Sequence, residues 1–217
     1  MSGFPNSPRL VKGGLVLVDP DSGAVKRIIV LQYNPDTVTR TLQPQGVTGE
    51  VADRSEALRL KGPPIETIKL DAEIDATDQL ETADPQATAL GIHPQLAALE
   101  LIVYPTSAQL QANNALAQSG TLEIAPMIAP LTLFIWSRSR IVPVRLTDLS
   151  ITEEAFDPAL NPIRAKVSLG LRVLTIDDFN FTDKGGSLFM AYQQQKEQLA
   201  AQSASGTLSV LGIGGIP

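Results

Sequence analysis

The chain has 217 residues, of which 43% are hydrophobic and 18% charged, enough for one sizeable domain with its own core. Its formal net charge is −6 and no cluster of Lys and Arg supplies a basic face, which argues against a nucleic-acid-binding protein. It has no cysteine and one histidine, which excludes disulfides, thiolate metal sites and multi-histidine metal sites within one chain.

The first half of the chain predicts four strands. Residues 1–10 indicate an extended arm, and residues 15–18 and 26–33 indicate a hairpin around a turn that contains Pro20 and Gly23. Residues 37–42 predict a third strand, and the strict alternation of residues 66–75 predicts a half-buried strand with an acidic outer face. The stretch 43–64 between them is rich in Gly and Pro and indicates a long loop, a feature that is usually functional.

The second half predicts helices and further strands. Residues 82–94 indicate a loop or short helix, and Pro94 is well placed at the start of a helix that runs to Ile102. Residues 106–119 indicate a surface loop or a weak helix. Apolar patterning predicts strands at 131–136, 141–151 and 165–174, and a second helix at 187–201.

Roughly eight short strands and two helices predict a mainly β protein with flanking helices, an antiparallel β-barrel or sandwich. We expect one domain over residues 11–201, preceded by the arm of residues 1–10. Residues 202–217 predict a flexible tail with an apolar tip, which we call the tail segment. The apolar residues of the tip have no partner within it, so we hypothesise that they dock on a neighbouring molecule.

Export and membrane insertion are not indicated. The first eight residues are polar and rich in proline, unlike a secretory signal. The longest apolar stretch, residues 127–136, is too short for a membrane-spanning helix, which needs about 20 residues. We therefore expect a protein that is made in the cytoplasm and does not insert into a membrane.

The acidic residues and the one histidine do not form a recognisable site. His93 has no Gly-x-Ser-x-Gly motif to accompany it and is interpreted as a helix-capping or loop residue. The acidic run has a superficial calcium-loop spacing, but Ala76 occupies the position that requires glycine. Alternation with Ile and Leu favours a solvated strand face; lining a channel is the functional alternative.

Three other features do not form a recognisable catalytic or binding site. Glu153 and Glu154 are adjacent in a predicted strand and point to opposite faces, so they cannot flank one glycosidic bond. The glycine pair before Ser187 does not match a phosphate-binding loop and indicates a flexible helix entry. Trp136 is either a buried core residue or an interface anchor. We therefore predict a protein that is not an enzyme and has no cofactor or metal.

Three stretches of the chain resemble the tube-type proteins of contractile injection systems, the phage-tail-like particles of bacteria. The first is Gln32-Tyr33-Asn34-Pro35-Asp36, continuing to Arg40, and the second is Leu90-Gly91-Ile92-His93-Pro94, continuing to Glu100. The third and most specific runs from Pro143-Val144-Arg145 through Phe156-Asp157-Pro158 to Arg164-Ala165. The helix around Tyr192 also fits, and the resemblance covers roughly residues 9–201.

The resemblance implies the fold of inner-tube proteins and assembly into a hexameric ring around a lumen. It implies a layer that joins the spike and baseplate hub to the inner tube and initiates tube assembly. The implied partners are further copies in a homo-hexamer, rings of inner-tube protein, a trimeric spike protein and baseplate wedge proteins, in a particle that is cytoplasmic or released. Many members carry a LysM module where this chain has its tail segment, which removes the expectation of LysM-mediated contacts.

The resemblance and the sequence pattern together give candidate residues. The interface candidates lie in the first and third stretches, at the end of the most apolar strand and in the tail segment: Tyr33, Asn34, Pro35, Trp136, Glu153, Glu154, Phe156, Leu208, Leu211 and Ile213. The lumen candidates are Asp71, Glu73 and Asp75, because acidic residues of one sign would tune the passage of cargo. The loop 43–64 would reach the adjacent ring.

Three other functions remain open from the sequence. The first is a stacking inner-tube or tube-terminator subunit of the same particle, which shares the ring fold. The second is a cell-wall glycan hydrolase of the baseplate, which would need two carboxylates across a cleft. The third is a soluble carrier barrel for a small ligand, which would be a monomer with a lined cavity.

Overall fold

The computed structural model describes residues 10–46, 58–120 and 129–216. Within these ranges it has seven strands, five α-helices and a 3₁₀ turn at Leu208–Leu211. The strands are β1 Gly14–Val18, β2 Val25–Val30, β3 Val38–Gln43, β4 Ile65–Asp75, β5 Leu131–Ser137, β6 Arg140–Phe156 and β7 Pro162–Val173. The helices are α1 Thr77–Glu81, α2 Pro85–Leu90, α3 His93–Glu100, α4 Ser107–Gln118 and α5 Lys184–Ala201. Most of the predicted arm and the middle of the predicted loop 43–64 lie outside the described residues.

The seven strands form one antiparallel sheet in the order β2-β1-β5-β6-β7-β4-β3. The predicted mainly β class with flanking helices is confirmed. Within that class, the described strands form a single sheet rather than the two sheets of a sandwich, and β2 and β3 are its two end strands. β2 and β4 are far apart in the strand order, yet Gln32, just after β2, contacts Asp75 at the end of β4. This contact shows that the sheet curls strongly.

The alternation predicted for β4 is confirmed. Ile68, Leu70 and Ala72 are buried, whereas Lys69 and Asp71 are exposed. In β5 the four residues 131–134 are all buried, as the continuous apolar run predicts for a strand covered on both faces.

The helices are more numerous than the sequence pattern predicted. The predicted helix at 94–102 is α3, and the ambiguous stretches 82–94 and 106–119 contain α2 and α4. Asp84 caps α2 by accepting hydrogen bonds from two backbone N–H groups, and Thr106 caps α4 in a capping box with Gln109. Capping therefore decides both ambiguous segments.

The interpretation of the glycine pair as a flexible helix entry is wrong. Gly185 and Gly186 are buried in the first turn of α5, which begins at Lys184 rather than at Ser187. A Cβ on Gly185 would come within 2.4 Å of the Phe179 ring, and one on Gly186 within 2.3 Å of the Asn180 carbonyl oxygen. The two glycines are required because the helix packs so closely against the chain that precedes it.

The main core lies between the concave face of the curled sheet and the helices. It is built from residues such as Phe134, Ile68 and Leu171 on the sheet, and Ile92 and Leu96 on or beside α3. None of the helices within the described ranges is long and apolar enough to cross a membrane.

The corner between α2 and α3 holds the beginning of β7. The backbone N–H of Ile92 donates to the carbonyl oxygen of Pro162 (2.9 Å), and the Asn161 side chain donates to the carbonyl oxygen of Ala89 (3.3 Å). Gly91 has a φ of +56°, and a Cβ there would lie 2.2 Å from the Pro162 oxygen. The helical corner and the β6–β7 turn are therefore fixed to each other.

Candidate assembly surface

The outer edge of β2 is apolar and unpaired within the described part of the chain. β2 pairs only with β1, and its side chains Val25, Ile28 and Val30 are 59%, 62% and 57% exposed. Ile29 and Leu31, on the other face, pack against the core. The run 28–31 is thus apolar on both faces, the pattern of a strand covered on both sides, although one side is open here.

Gln32 bridges the open side of the curled sheet. Its Nε2 donates to the carbonyl oxygen of Asp75 (2.6 Å), and the backbone N–H of Asp75 donates to its Oε1 (2.9 Å). The side-chain amide therefore supplies one donor and one acceptor to a strand end, as a backbone amide does in a β-ladder.

A groove of about 320 Å³ lies beside this bridge. Its lining includes residues 28–32, the end of β4 at residues 72–74, and Pro94, Gln95 and Ala98 of α3. Because successive strand residues point to opposite faces, a cavity that touches several in a row lies along the edges of β2 and β4. β3 pairs with β4 only over residues 65–70, so among the described residues the edge of β4 at residues 71–75 also lacks a paired strand on that side. We call this cavity the β2 groove.

The first resembling stretch provides the turn that follows β2. Tyr33 is 48% exposed, and Pro35 is partly buried. Asn34 is used within the chain, because its side chain accepts a hydrogen bond from the backbone N–H of Gly13 (2.9 Å) and donates to the carbonyl oxygen of Val11 (2.9 Å). Of these three interface candidates, Tyr33 therefore presents the most surface.

The third stretch forms a second unpaired edge. β5 pairs with β6 only over residues 140–144, so the following half of β6 is paired with β7 alone. Glu153, Glu154 and Phe156 lie on this half, and Phe156 is 50% exposed. In register, Glu153 is opposite buried Ala165, whereas Glu154 is opposite Arg164, so the two carboxylates lie on opposite faces of the strand.

The lumen candidates lie together on the outer face of β4 but are accompanied by bases. Asp71 accepts a hydrogen bond from Ser168 (2.6 Å), Arg164 Nη2 lies 2.7 Å from Asp75 Oδ2, and Arg164 Nε lies 3.7 Å from Glu73 Oε1. Lys166, opposite Glu73 in the ladder, pairs with a carboxylate of β6 at 2.9 Å. The face therefore carries both signs of charge, and its acidic row is partly neutralised.

The titration of Asp75 reflects this setting. Burial alone would raise the pKa of its carboxyl, but hydrogen bonds from the Thr77 hydroxyl and backbone N–H and from Arg164 outweigh burial and lower the pKa below 3.8. Asp75 is thus ionised under all ordinary conditions and holds the end of β4 to α1 and to β7.

The remaining interface candidates divide between the core and the tail segment. Trp136 is half-buried and stacks on Phe134 with ring centroids 5.9 Å apart, so its ring belongs to the packing around the core. Leu208, Leu211 and Ile213 are exposed by 40%, 73% and 43%. They are distant in sequence from every strand and form no part of the described core clusters.

One buried charged cluster joins the sheet to α5. Glu66 has a side chain only 3% exposed, and Arg40 donates to its Oε1 from Nε and Nη2 at 2.8 and 2.7 Å. Arg40 also donates to the hydroxyl of Tyr192 (3.0 Å), and the Lys196 ammonium lies 4.3 Å from the centre of that ring. Burial raises the pKa of Tyr192 and lowers the pKa of Lys196. Because its hydrogen bonds join all three elements, the cluster is a structural clamp between β3, β4 and α5.

His93 stands at the first position of α3 and is exposed. The described residues hold no group of three or more His, Cys, Asp or Glu placed to bind a metal ion. Neither the apolar edge of β2 nor the role of Gln32 is among the features predicted from the sequence. The signal for the first was present in the residues, since a short run that is apolar on both faces should be covered on both.

These features define a mainly β domain with an apolar groove and, among the described residues, unpaired strand edges at β2, at β3, at residues 71–75 of β4 and at the second half of β6. No model of a known protein family matches the chain, and no curated protein matches it. Among solved structures it is similar to a chain in the tail of an empty GTA particle, computed with helical refinement and C6 symmetry. That similarity has a TM-score of 0.29 and 12% sequence identity and covers 75% of this chain and 90% of the other. A similarity this weak carries no conclusion about fold or function.

Proposed function

We propose that this chain is a structural subunit of a phage-tail-like contractile injection system. In this proposal it forms a hexameric ring that joins the spike and baseplate hub to the inner tube, and it initiates tube assembly. The observation that carries the proposal is that two unpaired strand edges of the described residues, at β2 and at the second half of β6, expose large apolar side chains. The resemblance of residues 9–201 to tube-type proteins supplies the kind of assembly.

Exposed apolar strand edges are evidence for assembly, because proteins that stay monomeric normally protect such edges against pairing with other chains. Natural edge strands carry lysines, prolines or bulges that prevent pairing with other chains. β2 has Lys26 and a bulge at one end, but further along it exposes Ile28 and Val30, and the second half of β6 exposes Phe156. Full burial of such a side chain contributes about 1.5–3 kcal/mol, and these three are already about half buried. Covering the remainder of each contributes roughly half of that figure, which favours pairing between subunits.

The acidic outer face of β4 has a smaller role in this proposal than the sequence indicated. With Arg164 and Lys166 beside Glu73 and Asp75, a lumen lined by this face would attract or repel cargo only weakly. Reversing Arg164 and Lys166 to glutamate would remove the bases beside Glu73 and Asp75 and make the face more acidic, with Lys69 its remaining base on β4. We expect that change to alter cargo loading more than removing Glu73. Equal loading by all variants would remove the lumen assignment.

We also propose that the chain is not an enzyme. Glu153 and Glu154 lie on opposite faces of β6, whereas a glycan hydrolase needs two carboxylates facing one bond. The purified protein should release no sugar from cell-wall glycan. Release that is lost in Glu153→Gln or Glu154→Gln would overturn this part of the proposal.

The decisive test is electron cryo-microscopy of particles captured through a tag on this chain. We expect a six-fold ring between spike and tube in the unmodified protein, fewer complete particles with Ile28→Lys, and normal particles with Leu116→Lys. Leu116 is a matched control because it is also exposed and apolar but lies on α4. Density repeated along the tube would assign a stacking subunit instead, and a monomer without particles would refute the proposal.

A further inference from the structure

We propose that residues 207–211 of a second copy of this chain lie along the unpaired edge of β2 and place Leu208 and Val210 in the β2 groove. The occupant is thus the tail segment of a neighbouring subunit. The proposal concerns self-association and rests on the proposed function only in taking a second copy as the neighbour.

The β2 groove has the form of a place for one more strand. It lies between the edges of β2 and of β4 at residues 71–75, and no strand of the described ranges pairs with either edge on that side. Gln32 spans the gap at one end with its side-chain amide. An extended segment beside β2 would pair with the backbone groups of that edge, as the Gln32 amide pairs with those of Asp75 at the end of β4.

The tail segment has the composition that such a place requires. Residues 202–216 contain no charged side chain, and Val210 and Leu211 are 81% and 73% exposed. In residues 207–210 polar and apolar side chains alternate, which is the pattern of a strand with one face covered. The single chain folds part of this sequence into a 3₁₀ turn that leaves its apolar side chains uncovered, so the chain's own tail segment does not fill the groove.

Charge and position together distinguish the β2 groove from two other apolar cavities of the described residues. Glu73 is the one residue of its lining with a formal charge. A second cavity, of about 380 Å³, has Lys26 and Arg27 in its lining, and a third, of about 460 Å³, has Arg145. An uncharged apolar segment would desolvate fewer charges in the β2 groove than in the second cavity. The third cavity has one charged residue, as the β2 groove does, but its lining contains no residue of β2.

The absence of cysteine from the chain allows a direct test. One purified variant carries Val210→Cys, and a second, with a tag of different size, carries Gln95→Cys on the α3 wall of the groove. The two are mixed under mild oxidation, and the disulfide-linked heterodimer is measured on a non-reducing gel. The control pairs Val210→Cys with Val103→Cys, which is 50% exposed and lines the other two cavities. All three positions are exposed or at the rim of a cavity, so the variants should fold.

We expect the Gln95 pair to form several-fold more heterodimer than the Val103 pair, and Ile28→Lys in the Gln95→Cys chain to abolish the difference. Equal yields from the two pairs, or none from either, would overturn the proposal. A chain carrying both Val210→Cys and Gln95→Cys that closes an internal disulfide at high dilution would place its own tail segment in the groove, which also overturns it. Six-fold rings that persist without this cross-link would leave the proposed function standing.

Discussion

Replacing Gln32 with alanine tests whether its amide holds the two sides of the curled sheet together. The substitution removes two hydrogen bonds, at 2.6 and 2.9 Å, that connect the chain after β2 to the backbone at the end of β4. It leaves a backbone donor and acceptor on Asp75 in a partly buried position. The partners are 43 residues apart in sequence, so no local structure replaces the contact.

Each intramolecular hydrogen bond contributes about 1 kcal/mol net, and an unsatisfied buried group costs about 1–3 kcal/mol. Because the site is partly open to water, we expect Gln32→Ala to lower the free energy of unfolding by about 2 kcal/mol. For a domain of this size that corresponds to a fall in Tm of about 4–8 °C. Gln95→Ala, on the exposed side of α3, is the matched control, and we expect it to change stability by less than about 0.5 kcal/mol.

Gln32→Glu adds a dependence on pH whose sign can be worked out. The ionised carboxylate can accept from the Asp75 N–H but repels the carbonyl oxygen, so folding raises the pKa of the new group above its unfolded value of about 4.3. Below the raised pKa, the carboxyl is protonated and can donate to the carbonyl oxygen of Asp75, as the amide does in the unmodified protein. The stability deficit of Gln32→Glu relative to the unmodified protein should therefore be largest above the raised pKa and shrink as the pH falls.

Urea denaturation followed by tryptophan fluorescence measures these changes, because the one tryptophan, Trp136, packs on the core. Hydrogen exchange at the amide of Asp75 gives a local readout. A loss below about 0.5 kcal/mol for Gln32→Ala, with unchanged exchange at Asp75, would refute the bridging role. A deficit for Gln32→Glu that does not vary with pH would refute the assignment of donor and acceptor.

Three further substitutions probe the fold. Arg40→Met leaves the buried carboxylate of Glu66 without its main partner, and we expect a loss of about 2–3 kcal/mol by denaturation; if adding Glu66→Met recovers none of this loss, the pairing has been misread. Gly91→Ala forces a Cβ into a carbonyl oxygen at positive φ and should cost at least about 2 kcal/mol, whereas Gly120→Ala, with positive φ and open space, should cost about 1 kcal/mol; equal losses would contradict the steric argument. Asp75→Asn should destabilise the protein near neutral pH, and its deficit should shrink as pH falls below about 3.8, through the lowered pKa of the native carboxyl. A deficit that is constant from pH 7 to pH 2 would contradict this.

Local patterns in the sequence predicted much of the fold. The alternation of β4, the continuous apolar run of β5 and the proline at the start of α3 each report burial that is decided within a few residues. The mainly β class followed from these elements. The sequence pattern does not decide between helix and loop for α2 and α4, because their apolar faces are weak. Their capping residues, Asp84 and Thr106, carry most of the evidence for a helix.

The curvature of the sheet and the candidate site could not be read in the same way. Curling depends on a contact between Gln32 and Asp75, and a glutamine in a turn has no pattern that names its partner. Asn34 illustrates the same point, since its amide closes the chain on Val11 and Gly13. The neutralisation of the acidic face likewise required the register of β4 against β7, which places Arg164 beside Asp75.

The fixed corner between α2 and α3 has a mechanical consequence. A pull on the β6–β7 turn along the strands moves β6 and β7 together and loads the two flanking ladders, between β4 and β7 and between β5 and β6, in shear, so that many hydrogen bonds resist together. A pull across the sheet would instead break them one after another. Because Ile92 and Asn161 join the turn to the helical corner, the turn passes a lengthwise load to the helices as well as to the sheet. We therefore expect the domain to resist a load along β6 more strongly than a load at right angles to β6.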